Sequence, residues 1–433
     1  MQAAPARFRH PIDAPEPVAD RYYRRFLGVG AGAPRREQAD LLAAALWRGD
    51  PLMDAWVERA ATLDPKQAHA LFERALAGGI HAIGDGPSEL IALFQQLCTV
   101  PLWVDGDALE LGARTARRAG PVAGAVLSSF SLMGGYRSSA VVKPLIMTGK
   151  LRYEASRRLT ETGRFVVAIT EPGALRLPRE GFRAAVRVRY VHARIRHHLA
   201  RSPEWNGAEW GLPINQADML GTNLLFSLGF LMGGRDLGMS FTRAEAESVI
   251  HVWRYVGYLL GIDENLLPAS ETEAQRIMYL VGASQPPADA DSVVLARALH
   301  EEPLERAKTE NARRFARIEM GIRGSISRYL LGDEVADELA LPKSRARFGV
   351  HAIAPLVSAF EKARKRIPFG DEIAYRLGSY WIKTAIAERS EQETRSPSRH
   401  DAPVPRDTAG IASSAPSRSR SAPPPSAIMN GAI

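Results

Sequence analysis

From about Asp20 to Ile386 apolar residues recur at helical spacing, and almost nowhere do they alternate in the period of two that a half-buried strand requires. Short Gly/Pro breaks separate the helical runs. QADLLAAALWRG (residues 38–49) ends at a glycine, and DPLMDAWVERAATL (50–63) and DPKQAHALFERALAGG (64–79) each open on Asp-Pro, a helix start signal. FTRAEAESVIHVWRYVGYLLGI (241–262) predicts a long amphipathic helix. FVVAIT (165–170) has strand-like content but runs on from a helical motif, and we assign it to helix. Such a chain can bury its apolar stripes only against other helices, so the expected class is all-α. We expect an irregular, Pro-rich segment over residues 1–20, one large multi-helix domain over 21–389, and a disordered Ser/Pro/Arg-rich tail over 390–433.

Composition excludes several functions. The 433 residues are 45% apolar and 24% charged, enough for a sizeable core. The net charge of +8 is spread along the chain and forms no dense stripe, so nucleic acid is not an expected partner. The longest apolar stretch, Met219 to Gly234, is short for a bilayer span and contains Asn223 and several glycines. It predicts a buried core helix, and no transmembrane segment is expected. The single cysteine, Cys98, excludes an intrachain disulfide, is expected in the core, and suits a reducing cytoplasm. We therefore expect a cytoplasmic protein. Turn punctuation near Gly135, Gly149 and Gly173 divides the middle of the chain.

Chemistry has few places to sit. There is no E-x-x-H, H-E-x-x-H, Walker A, G-x-S-x-G or G-x-G-x-x-G motif. Imidazole is the main remaining route to a transition metal. His10 and His400 fall in expected disordered ends, and His69, His81, His300 and His351 fall among polar residues expected at the surface. His192 differs, because on a helical wheel it aligns with Ala185, Val188, Ile195 and Leu199, the apolar side of its helix. An inward histidine fits a hydrogen-bonded core residue and a metal ligand alike. Arg158 and Thr162, in RRLTETGRFV, share one face of a helical turn. Arg158, Arg187, Arg189, Arg194 and Arg196 are candidate partners for haem propionates; for most of them a solvated helix face is the simpler reading.

Five segments in order give a resemblance: MGGYRSSAVVKPLIMTGKL, RRLTET, VRYVHARIR, LPINQADMLGTNLLFS and WRYVGYLLGIDENLLP. Together they resemble the latex-clearing-protein type of rubber oxygenase and the related mycophenolic-acid pathway oxygenase, over about Gly120 to Leu280. The resemblance implies a helical, globin-like haem-binding core. It puts His192 at the proximal ligand of haem b iron, and Arg158 and Thr162 at the residues that hold and orient the haem. It also implies a reaction between dioxygen and a small apolar, isoprenoid or lipid-like substrate.

The chain departs from the rubber-cleaving pattern twice. Where those members carry a lysine before the motif threonine, this chain has Glu161. Where they carry an upstream glutamate, the stretch here is Ala140-Val141-Val142. Both departures argue against polyisoprene as substrate. Glu161 is a candidate acid or base in a different reaction, or a helix-surface glutamate. The sequence thus implies a haem b oxygenase, with a non-catalytic haem sensor or carrier as one alternative and a helical interaction protein with a basic tail as another.

Overall fold

The computed structural model describes residues 3–28, 32–148, 155–343 and 347–394. Among these residues there is no strand. The helices begin with α1 (Pro17–Arg24), α2 (Arg36–Ala45), α3 (Pro51–Ala60), α4 (Pro65–Gly78) and α5 (Ser88–Cys98). Then come α6 (Gly106–Arg118), α7 (Gly120–Val126), α8 (Met133–Gly135), α9 (Ser139–Met147), α10 (Ala155–Ile169) and α11 (Glu180–Leu199). After α12 (Gly207–Trp210) follow α13 (Gln216–Phe226), α14 (Leu228–Asp236), α15 (Arg243–Leu259) and α16 (Glu271–Ala283). The last are α17 (Ala290–Arg306), α18 (Glu310–Leu331), α19 (Asp333–Glu338), α20 (Arg347–Arg364) and α21 (Gly370–Thr394).

Side chains mark many of the starts. Asp50 accepts from the Met53 amide and Asp64 from those of Lys66 and Gln67, each ahead of a proline in the first turn. Asn215 caps α13, and Thr242 with Glu245 forms a reciprocal capping box on α15. Each such cap is worth about 1 kcal/mol.

Helix α15 is the central element. Its residues Val249, Val252, Trp253, Val256 and Leu259 are all buried, each contributing roughly 1.5–3 kcal/mol. It packs against α6, α11, α13, α14 and α16. The α6 contact is close because Gly112 sits in it: a Cβ there would lie 2.2 Å from the Ser248 carbonyl oxygen.

Several local expectations are corrected. The stretch Met219 to Gly234 is not one helix; it breaks at Ser227 between α13 and α14. The Ser227 hydroxyl bonds back to the Asn223 carbonyl, and the Asn223 amide leaves its helix to reach the Trp253 carbonyl at 2.9 Å, so polar side chains compete with the ladder there. The N-terminal segment contains α1 and is anchored: Glu16 caps α1 and takes Arg137, and Arg7 donates to Asp218 at 2.7 Å. His10 lies between Asp13 and Asp40 rather than in a loose end. His300, expected at the surface, is half-buried against Gly324. Cys98 is half-buried. Helix α21 continues through Thr394, beyond the composition break at Ser390. The turn at Gly149, His400 and the tail past Thr394 lie outside the described residues.

Candidate active site

Helix α11 packs on α3 along one side and on α10 along another. The turn between α10 and α11 brings them together at Gly181, where a Cβ would meet the Ala168 and Ala174 carbonyl oxygens at 2.8 and 2.9 Å. Arg158 and Thr162 on α10 and His192 on α11 are thereby carried by two packed helices.

The arginines of α11 do not form the solvated face expected of most of them. Arg189 is 2% exposed and grips Asp50 through two bonds of 2.6 and 2.8 Å, with Gln96 accepting a third at 2.8 Å. Arg196 closes on Asp54 at 2.7 Å and on the Ile214 carbonyl at 2.7 Å. Arg187 pairs with Glu73 at 2.8 Å. Arg194 is exposed beside the Tyr190 ring. Buried cations are costly unless paired, and these are paired.

Arg158 is different. It is half-buried, and it makes no ion pair or hydrogen bond among the described residues. Its charge acts on both His192 and Tyr136. Thr162 is also unengaged. The hydroxyls of Thr148, Thr160 and Thr170 turn back onto their own helices at 2.6–3.0 Å, whereas that of Thr162 has no partner among the described residues.

His192 makes no hydrogen bond through either ring nitrogen among the described residues, and Nδ1 is enclosed without a partner. The ring is half-buried by exposed area, yet protein packs so densely around it that its pKa falls to about 4. Burial is the main cause; the Arg196 and Arg158 cations add to it and Asp50 opposes it. The imidazole is therefore neutral at neutral pH, the protonation state a metal needs. Among the described residues no group of three His, Cys, Asp or Glu side chains could hold a bare metal ion. A solitary neutral imidazole, an unpaired cation and a free hydroxyl fit a prosthetic group that brings most of its own ligands and carries carboxylates, as haem does.

Glu161 does not join this group. Its carboxylate is taken at 2.9 Å by Arg157, a half-exposed side chain one turn earlier, which favours the surface reading. The residues Ala140 and Val142 are buried, and no carboxylate stands at that stretch. Val141 and Val142 instead line a mainly apolar recess of about 120 Å³ with Leu132, Tyr136, Leu145 and Leu225. Tyr136 joins this recess to Arg158: burial pushes its phenol up, and the Arg158 charge pulls the other way. Asp218 also lines it, held by Arg7 and Asn215. Tyr136 and Asp218 lie in two of the segments that carry the resemblance, but nothing in the sequence singles out either residue. A wider surface cleft lined by Arg59, Gln67, Arg74 and Asp85 includes none of these residues.

Comparison with known proteins assigns the class. Residues 117–359 match the family described as the catalytic domain of ER-bound oxygenase mpaB/B′ and rubber oxygenase. The match covers more than half of the chain, which belongs to this family of oxygenases, enzymes of the oxidoreductase class. Among individual proteins, the chain is 27% identical over 379 residues to the rubber oxygenase of Streptomyces sp. (strain K30), covering 84% of this chain and 86% of that one. Its fold is similar to that of latex clearing protein LCP in the closed state, with a TM-score of 0.57 at 22% identity, over 78% of this chain and 88% of the other.

Proposed function

We propose that this oxygenase-family chain is a haem b-dependent enzyme that oxygenates or oxidatively cleaves a small apolar molecule, isoprenoid or lipid-like, with dioxygen. The observation that carries the reading is His192: a desolvated imidazole with both nitrogens unbonded, beside Arg158, which lacks a carboxylate. His192 would ligate the haem iron, Arg158 would pair with a propionate, and Thr162 would offer its hydroxyl to the same group. When bound, haem b would supply the redox chemistry for activating dioxygen.

The chain's own residues do the rest. Burial, helped by the Arg196 and Arg158 cations, keeps His192 unprotonated. The half-buried Arg158 would orient the group through its carboxylates and would gain the counter-charge it lacks. The mainly apolar recess beside Tyr136, with Val141 and Val142 in its wall, would receive part of an apolar body. The missing amine and carboxylate, and the engagement of Glu161 by Arg157, support a substrate other than polyisoprene. The scarcity of cysteine supports a reducing, cytoplasmic setting. Among the described residues no helix is long and apolar enough to cross a membrane.

The test is an absorption spectrum of purified, haem-supplemented protein, oxidised and then reduced under carbon monoxide. A Soret band that is lost in His192→Ala is expected. A featureless spectrum, or a His192→Ala variant of normal haem content, overturns the reading. The lack of a free acid or base at Glu161 and residues 140–142 favours a second reading, a haem sensor or carrier. Oxygen uptake in the presence of candidate alkenes separates the two, since a sensor binds the gas and consumes no substrate.

A further inference from the structure

Large apolar side chains outside the core gather at the corner between α20 and α21. Leu356, Phe360 and Ile367 lie along one stripe, and Ile373 and Leu377 continue from the turn, all of them exposed. At the tip stands Phe369, 84% exposed and held at φ +57°, a conformation that favours glycine and projects the ring outward. Scattered exposed apolar residues are ordinary; this many on the two helices of one hairpin mark a contact surface.

The charges beside the tip say what it contacts. Lys362, Lys365 and Arg366 are exposed and have no carboxylate partner among the described residues. The neighbouring acids are already taken: Glu361 by Arg118 and Arg364, Asp371 by Arg364, and Glu372 by Arg114 and Arg376. The uncompensated charge at the tip is therefore positive. Two copies meeting here would bring like charges together. The chain beyond Thr394 contains no Phe, Tyr or Trp with which to cover the face, and it is itself arginine-rich. An anionic lipid bilayer satisfies both features at once: the apolar tip enters the headgroup–acyl boundary and the three cations meet lipid phosphates.

We propose that the α20–α21 hairpin is a monotopic docking element for anionic membranes. It lies on helices other than those that carry His192 and does not depend on haem. Docking at a lipid surface would give the enzyme access to apolar molecules that partition there.

The test is co-sedimentation of the full chain with vesicles of equal parts phosphatidylglycerol and phosphatidylcholine, and with phosphatidylcholine alone. Binding to the anionic vesicles and little to the neutral ones is expected. Phe369→Gly should weaken binding on the order of ten-fold, with melting temperature unchanged or raised because the left-handed backbone is relieved. Lys362→Gln, Lys365→Gln and Arg366→Gln should each cost about five-fold. Wild-type protein that stays in the supernatant with anionic vesicles overturns the proposal. So do variants that bind as wild type does. A dimer in sedimentation that Phe369→Gly dissociates, with no vesicle binding, assigns the face to a second copy and likewise overturns it.

Discussion

Helix α11 presents two sides that differ in completeness. Toward α3, Arg189 and Arg196 are buried and their guanidinium groups close on Asp50 and Asp54. Toward α10, His192 has both nitrogens unbonded, Arg158 has no carboxylate and Thr162 has no acceptor among the described residues. The same helix thus meets one neighbour through finished polar pairs and the other through polar groups left open. Polar groups left unsatisfied away from water are destabilising, and the open side is the one that the proposed prosthetic group would complete.

The largest effect is expected on the finished side of α11. Arg189→Ala leaves Asp50 buried and unpaired, and should lower unfolding free energy by about 3–5 kcal/mol; urea titration of the apo protein measures it. A small loss would mean that the finished side is not what holds α11 to α3.

Acidity should act next, on the open side. The His192 imidazole titrates at 6.5 in the unfolded chain and at about 4 in the folded one. The folded chain binds fewer protons, so this contribution is complete above pH 6.5 and is lost as the pH falls toward 4. The loss should be roughly 2 kcal/mol, less than the full shift because part of the ring faces free space. His192→Ala should flatten this part of the stability–pH profile; an unchanged profile would show that another group carries it.

Arg158→Ala sharpens the contrast between the two sides. It should weaken haem retention about ten-fold, the worth of one charge-assisted pair, while apo stability stays within about 0.5 kcal/mol because no protein partner is stranded. Equal losses in apo stability and haem binding would make Arg158 an ordinary structural cation. The smallest effect is expected from Glu161→Gln, which removes an exposed i,i+4 pair worth about 0.3–0.5 kcal/mol and should leave turnover unchanged. A large fall in turnover at normal stability would return Glu161 to the reaction.

Much of the helix pattern is legible in the amino-acid sequence. Asp50-Pro51, Asp64-Pro65 and Asn215 start helices where their residue types place starts, because caps act within one turn. The spacing of Arg158 and Thr162 and the apolar setting of His192 are equally readable, since three- and four-residue periods decide which side chains share a face. What local pattern misplaces depends on partners distant in sequence. Arg189 and Arg196 look like surface charges until Asp50 and Asp54 arrive from the start of α3. The break at Ser227 follows from Asn223 reaching across to Trp253 on α15. Glu161 is the exception: Arg157, which claims it, stands one turn earlier on the same helix, so that pairing was within reach of the local pattern.

By itself, then, the sequence determined the helical class, the order of the segments and the face on which His192, Arg158 and Thr162 lie, because those follow from local periodicity. Only the tertiary structure decided which of the chain's many arginines are engaged and left Arg158 without a carboxylate among the described residues. Pairing depends on what each guanidinium meets across the packed helices, and no local rule specifies that. The same holds for the recess beside Tyr136 and for the bare apolar tip at Phe369: each is defined by what the rest of the fold fails to cover.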